Sequence, residues 1–280
     1  MAEFTTLLDD LIFCEGPRWH GGKLWFSDMH DRKIWTVDLE GNKELVHEAD
    51  NDISGLGFLP DGTLLYVSMQ DRKLIRLVNG KSVEVADLSG LATFHCNDMI
   101  VDSKGRSYIG NFGFDLHGGE TPSPANFIMV DEEGTASIAA PNLMFANGTV
   151  ITPDNKTMIV GETFGACLTA FDIAEDGTLS NKRQWADISP AVPDGICLDA
   201  DGAIWVASPT TSEVIRVLEG GEITHHLKPS AIPFACMLGS DDRKTLFVLT
   251  AEESSPHKME GRRTGKIEIT RVHVAGAGRP

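Results

Sequence analysis

The sequence has no apolar run approaching the roughly 18 residues of a membrane span, and its start, MAEFTTLLDD, lacks the basic and apolar segments of a secretory signal. These absences predict a cytoplasmic protein without a membrane partner. Positive charge is scarce: 24 Lys plus Arg against 41 Asp plus Glu leave a formal net charge of -17, with no local basic patch to offset it. Such a chain repels phosphate backbones, so nucleic acid is not an expected partner. Cysteine is sparse too. Cys14, Cys96, Cys167, Cys197 and Cys236 are widely spaced and form no CxxC, which argues against a disulfide framework or a zinc finger. They read as small buried apolar side chains. Neither GxSxG nor HExxH occurs, which disfavours a nucleophilic-serine mechanism and that type of zinc site.

What the chain does have is turns and a repeat. Its 28 glycines and 13 prolines punctuate many short elements. One pattern recurs six times: a short apolar segment, a tight turn, a β-rich run, a polar loop and a second β-rich run. The run after the turn reads KLWFSD from Lys23, TLLYVSM from Thr63, RSYIGN from Arg106, KTMIVGE from Lys156, AIWVAS from Ala203 and KTLFVLT from Lys244. The companion runs begin at Lys33, Lys73, Phe127, Leu168, Glu213 and Lys266. Turn residues Gly22, Gly62, Gly105, Asn155, Gly202 and Arg243 lie about 40 to 50 residues apart, the period of a propeller blade. The expected fold is all-β: one domain over residues 1–280, a six-bladed β-propeller of four-stranded blades with a central metal channel. EFTTLL near the start and ITRVHVAG near the end are expected to meet in the last blade. GFDLHGGETPSPAN and FDIAEDGTLSNKRQW, in the two longest repeats, are expected to be rim loops.

Aligning the repeats on the turn identifies one equivalent residue just before each innermost strand: Glu15, Ser54, Asn97, Asn147, Asp194 and Ala235. Four of the six are carboxylates or carboxamides, and ring symmetry directs them to one axis. Two carboxylates converging in a tunnel repel each other, so either one takes up a proton or a cation sits between them. One divalent ion held by Glu15, Asn97, Asn147 and Asp194 satisfies the second case. All-oxygen ligation suits calcium first, with magnesium or manganese as alternatives. Zinc, which takes nitrogen and sulfur donors more readily, remains a further candidate. Asn147-Gly148 and Asp194-Gly195 also read as ordinary turn dipeptides, whereas Glu15 fits no turn preference.

At these residues the chain resembles the family of senescence marker protein, gluconolactonase and luciferin-regenerating enzyme, and more distantly diisopropylfluorophosphatase. The resemblance rests on Cys14-Glu15-Gly16-Pro17-Arg18-Trp19, Cys96-Asn97-Asp98, Ala146-Asn147-Gly148 and Pro193-Asp194-Gly195, and spans essentially the whole chain. It implies a propeller whose catalytic divalent metal is held by Glu15, Asn147 and Asp194, with Asn97 a fourth ligand or a substrate contact. Animal relatives carry an arginine two residues before that asparagine, where this chain has His95. Their sugar-binding carboxylate eighteen residues after it maps to Asp115. His95, Asn97, Asp115 and His117 are therefore the candidate substrate contacts, and Phe112 and Phe114 are candidates for an apolar wall.

The implied activity is metal-dependent hydrolysis of a small-molecule lactone, such as gluconolactone or a related cyclic ester. Asp194 is a ligand and, by the resemblance, the general base toward water. Two other functions fit the same sequence: hydrolysis of a phosphorus ester, and a noncatalytic propeller serving as an interaction platform. The oligomeric state is left open.

Overall fold

A computed structural model describes residues 3–279, which form 24 strands in six antiparallel four-stranded sheets. The innermost strands are Cys14–His20, Ile53–Phe58, Cys96–Val101, Ala146–Ile151, Ile196–Leu198 and Ile232–Gly239, and they define blades one to six. Each expected strand run is a second or third strand. In blade one, for example, Lys23–Asp28 pairs with Lys33–Val37 through Leu24 opposite Val37 and Phe26 opposite Trp35.

Burial falls from the axis outward and explains the composition of each strand. Second strands such as Leu64–Ser68 and Ile204–Ser208 are buried along their whole length, because neighbouring blades cover both faces. Outer strands such as Lys81–Asp87 mix polar and apolar residues and are mostly exposed. The apolar core is therefore a set of wedges between blades. Ile34 of blade one packs with Ile53, Leu56, Tyr66 and Ile75 of blade two, and Tyr108 and Phe127 of blade three pack with Met158 and Phe171 of blade four.

All six expected turn residues adopt left-handed backbone, from Arg243 at φ 54° to Gly105 at φ 94°. This tight reversal between first and second strands tolerates Asn and favours Gly.

The ring closes with strands from both ends of the chain. Thr5–Leu11 forms the outer strand of blade six against Gly265–Arg271, with Thr5 opposite Ile269 and Leu11 opposite Gly265. A second tie crosses the far end of the channel. The Gly276 N–H donates to Arg243 O at 2.8 Å, Ala277 to Leu198 O at 3.0 Å and Arg279 to Ile151 O at 3.0 Å, joining blades six, five and four.

The structure corrects two expectations. The extra length of the fourth repeat is a long hairpin, Cys167–Ile173 with Leu179–Asp187, and not a rim loop. LSNKRQWAD is polar because it is an outer strand with solvent along it. The third-repeat insertion is a loop as expected, between strands Ser107–Asn111 and Ala125–Val130. The aligned positions also lie mostly inside the innermost strands, not ahead of them. Glu15, Ser54, Asn97 and Asn147 are second residues of their strands and Ala235 the fourth, while Asp194 alone precedes its strand.

Candidate functional site

The aligned positions coincide with a local break in pairing. In the first four blades the ladder between first and second strands shifts register between Glu15 and Arg18, Ile53 and Leu56, Cys96 and Met99, and Ala146 and Thr149. Blade six shifts between Pro233 and Ala235. A bulge re-aims the side chain beside it, which accounts for Glu15, Asn97 and Asn147 at the hub, whereas in blade five the ladder is regular and Asp194 stands ahead of its strand.

Glycine supplies the second local requirement. The residue after the aligned position is Gly16, Gly55, Gly148 and Gly195 in blades one, two, four and five. A Cβ on Gly148 would lie 2.5 Å from Ile196 N and 2.6 Å from Asp194 O, and one on Gly195 would lie 2.6 Å from Ala235 Cα. Neither glycine has positive φ, so close approach of neighbouring blades, and not turn geometry, accounts for these two dipeptides.

A cavity of about 110 Å³ opens at this end of the channel, and Glu15, Asn97, Asn147 and Asp194 all line it. Asn147 Nδ2 donates to Asp194 Oδ1 at 2.6 Å and to Thr163 Oγ1 at 3.2 Å, while the Gly148 N–H donates to Asp194 O at 3.1 Å. Among the described residues no donor meets Asn147 Oδ1. Ser54 Oγ donates to Asn97 Oδ1 at 3.1 Å, and Glu15 Oε2 accepts the Gly16 N–H at 3.1 Å. The other two hub positions carry Ser54 and the apolar Ala235, both buried.

Burial pushes Glu15 well above the ordinary carboxylate range, and the negative charges of Asp194 and Asp98 add to it. Burial also pushes Asp194 up to about 7, against the opposing hydrogen bond from Asn147. Beneath the pocket Arg18 Nη2 bonds Asp98 Oδ1 at 2.7 Å with both side chains buried. Arg18 also lines a separate funnel at the opposite mouth of the channel.

Two further sequence-selected residues, His95 and His117, line the cavity, and burial lowers the pKa of each. Asp115 lies outside that wall. Its Oδ1 accepts the Gly118 N–H at 2.7 Å, within the loop that carries His117. Phe112 lines the cavity, while Phe114 packs behind it in the same cluster.

The sequence reading missed Phe13, Met29, His30, Asp52, Met69, Gln70, Phe145 and Phe234, which also line the cavity. His30 Nδ1 lies 3.1 Å from Asp52 Oδ2, and its Nε2 lies 3.1 Å from Ser254 O. A signal for some of these was present. Phe13, Asp52, His95 and Phe145 each stand two residues before an aligned hub position, and Met29, Met69 and Phe112 each directly follow a second strand.

The donor set passes a chemical test for a divalent cation. Two buried carboxylates with raised pKa, an amide oxygen without a partner and a second amide share one small cavity. Among the described residues no three His, Cys, Asp or Glu cluster for a metal, so a cation here would take the amide oxygens of Asn97 and Asn147 as well.

A family model described as an SMP-30/Gluconolactonase/LRE-like region matches residues 13–252. The pentonolactonase XacC of Haloferax volcanii is 26% identical over 277 residues, covering 95% of this chain and 92% of the relative. A 6-deoxy-6-sulfogluconolactonase of Pseudomonas putida is 28% identical over 192 residues, 66% of this chain and 64% of the relative. The structure of a calcium-binding regucalcin from Agrobacterium tumefaciens superposes with a TM-score of 0.83 at 19% identity, covering 100% of this chain and 97% of the other. Since the family match takes in the inner strands of all six blades and every residue of the hub set, the chain belongs to the SMP-30/gluconolactonase/LRE-like family.

Proposed function

We propose that the protein hydrolyses a lactone at the hub pocket, with one divalent cation held by Glu15, Asn97, Asn147 and Asp194. The observation that carries this reading is that four oxygen-donor side chains from four blades line one cavity at the end of the channel. The relatives named pentonolactonase and 6-deoxy-6-sulfogluconolactonase support the choice of a cyclic ester. The calcium-binding regucalcin supports calcium ahead of magnesium, manganese or zinc.

A bound divalent cation supplies electrophilic polarisation of an ester carbonyl. The protein does the rest. Asn147 fixes the Asp194 carboxylate through Nδ2 on Oδ1, leaving Oδ2 to accept a proton from the attacking water. Burial pushes the Asp194 carboxyl up to about 7. His95, Asn97 and His117, which line the cavity, would contact the ring or its substituents, and Asp115 orders the loop that carries His117.

The test is metal analysis of the purified protein, followed by chelation and re-addition of single cations across a panel of lactones and one fluorophosphate. Lactone turnover that disappears with chelation and returns with calcium is expected. Activity and thermal stability both unmoved by chelation would overturn the metal site, and faster fluorophosphate turnover would reassign the bond cleaved.

A further inference from the structure

Resting on the lactonase reading, we infer that the pocket takes a cyclic ester with a hydrocarbon flank in preference to a polyhydroxylated sugar lactone. Most of the surface that lines the cavity is apolar. It comes from a collar of Phe13, Met69, Phe112, Leu116, Phe145 and Phe234, drawn from blades one, two, three, four and six, with Asp52 and His95 the polar members of the register that Phe13 and Phe145 share. The rings brace one another: Phe112 and Phe145 centroids are 4.3 Å apart, and Phe13 meets Phe234 edge to face at 4.8 Å. A collar locked by mutual packing keeps its shape without ligand.

A sugar lactone carries hydroxyl groups on its ring carbons, and each one buried without a partner weakens binding roughly tenfold or more. Few partners remain at collar height. Both nitrogens of His30 are engaged, one with Asp52 and the other with Ser254 O, and its ring stacks on Phe13 at 5.3 Å. His95 lies against Phe94 at 4.1 Å and, with Gln70, His117 and the Asp52 oxygen that His30 leaves free, supplies the remaining polar atoms from blades two and three. A carbonyl directed to the floor with alkyl or aryl carbons against the collar leaves no hydroxyl unpaired. Each additional methylene buried there improves binding roughly fourfold. The volume of about 110 Å³ fits one ring with a short substituent.

The experiment uses the full chain with calcium present and compares kcat/KM for an alkyl δ-lactone and an aryl-fused δ-lactone with that for D-gluconolactone and D-xylonolactone. A second arm measures binding of two non-hydrolysable lactams, one alkyl-substituted and one polyhydroxylated, by the shift in Tm and by calorimetry. The expected result is at least tenfold higher kcat/KM for the hydrocarbon lactones and at least tenfold tighter binding of the alkyl lactam. Phe112→Ala is expected to remove most of both preferences, and its Tm reports whether it folds. Equal or better turnover of the sugar lactones, or tighter binding of the polyhydroxylated lactam, overturns the inference. If no lactone is turned over while the alkyl lactam still binds tenfold tighter, the lactonase reading fails and the assignment of the pocket to a hydrocarbon-flanked ring stands.

Discussion

Asn147 and Asp194 meet at 2.6 Å across the seam between blades four and five, the amide donating and the carboxylate accepting. Each side chain orients the other, so neither needs a cation to hold its place. Replacing Asp194 with Ala removes a carboxylate from the hub and releases the amide of Asn147. Lactone turnover is expected to fall by about 1,000-fold or more, a typical order for losing a group that acts in the transition state. Calorimetric titration with calcium is expected to show binding lost as well. Retained turnover at saturating calcium would exclude Asp194 from both roles.

The raised pKa values of Glu15 and Asp194 make the cation-free protein sensitive to pH in a defined direction. A carboxyl whose pKa is higher in the folded state binds its proton more tightly there than in the unfolded chain. Stability is then greatest below the usual carboxylate range and declines as pH climbs toward about 7. Chelated protein is expected to melt at a lower temperature at pH 8 than at pH 5.5. Calcium should raise Tm most at the higher pH, where it no longer competes with protons. In Asp194→Asn the decline should be shallower, and an unchanged slope would contradict the assignment.

The Arg18–Asp98 pair lies buried beneath the pocket, with Arg18 also donating to Pro17 O at 2.7 Å. Arg18→Met leaves a carboxylate uncompensated in the channel, close enough for its charge to act on Glu15 and Asp194. Removing one partner of such a pair costs about 3–5 kcal/mol. Denaturant unfolding is expected to show a loss in that range, and a loss under about 1 kcal/mol would mean that solvent reaches Asp98.

Gly148→Ala places a methyl group 2.5 Å from Ile196 N and 2.6 Å from Asp194 O. The backbone of blade five has to yield, at about 1–3 kcal/mol for overpacking, and it carries Asp194 away from Asn147. Turnover is expected to fall at least tenfold while the chain remains folded by circular dichroism. An active variant of wild-type stability would show that the seam has slack.

The six-fold repeat was legible because blades impose one chemistry at one place: a left-handed turn between the first and second strands, then a buried run. Glu15, Asn97, Asn147 and Asp194 stood out because residue type and register agreed at one position. Phe13, Asp52 and Phe145 did not, although they share a register with His95, because the position above the hub has a common location but no common residue type. The strand Leu179–Asp187 was misread for another reason. An outer strand meets solvent over most of its length, here with only Trp185 and Ala186 buried, and its composition then matches that of a loop.

The pairing of Thr5–Leu11 with Gly265–Arg271 has a consequence for biogenesis. Thr5–Leu11 leaves the ribosome ahead of every other described strand and waits for almost the entire chain before its partner arrives. Its adjacent Asp9 and Asp10 suit that interval, since charge on a lone strand discourages pairing with foreign chains. The donor set proposed for the hub is drawn from four blades and has its last member at Asp194, so fragments that stop ahead of Asp194 are expected to be inert whether or not the outer strand has paired.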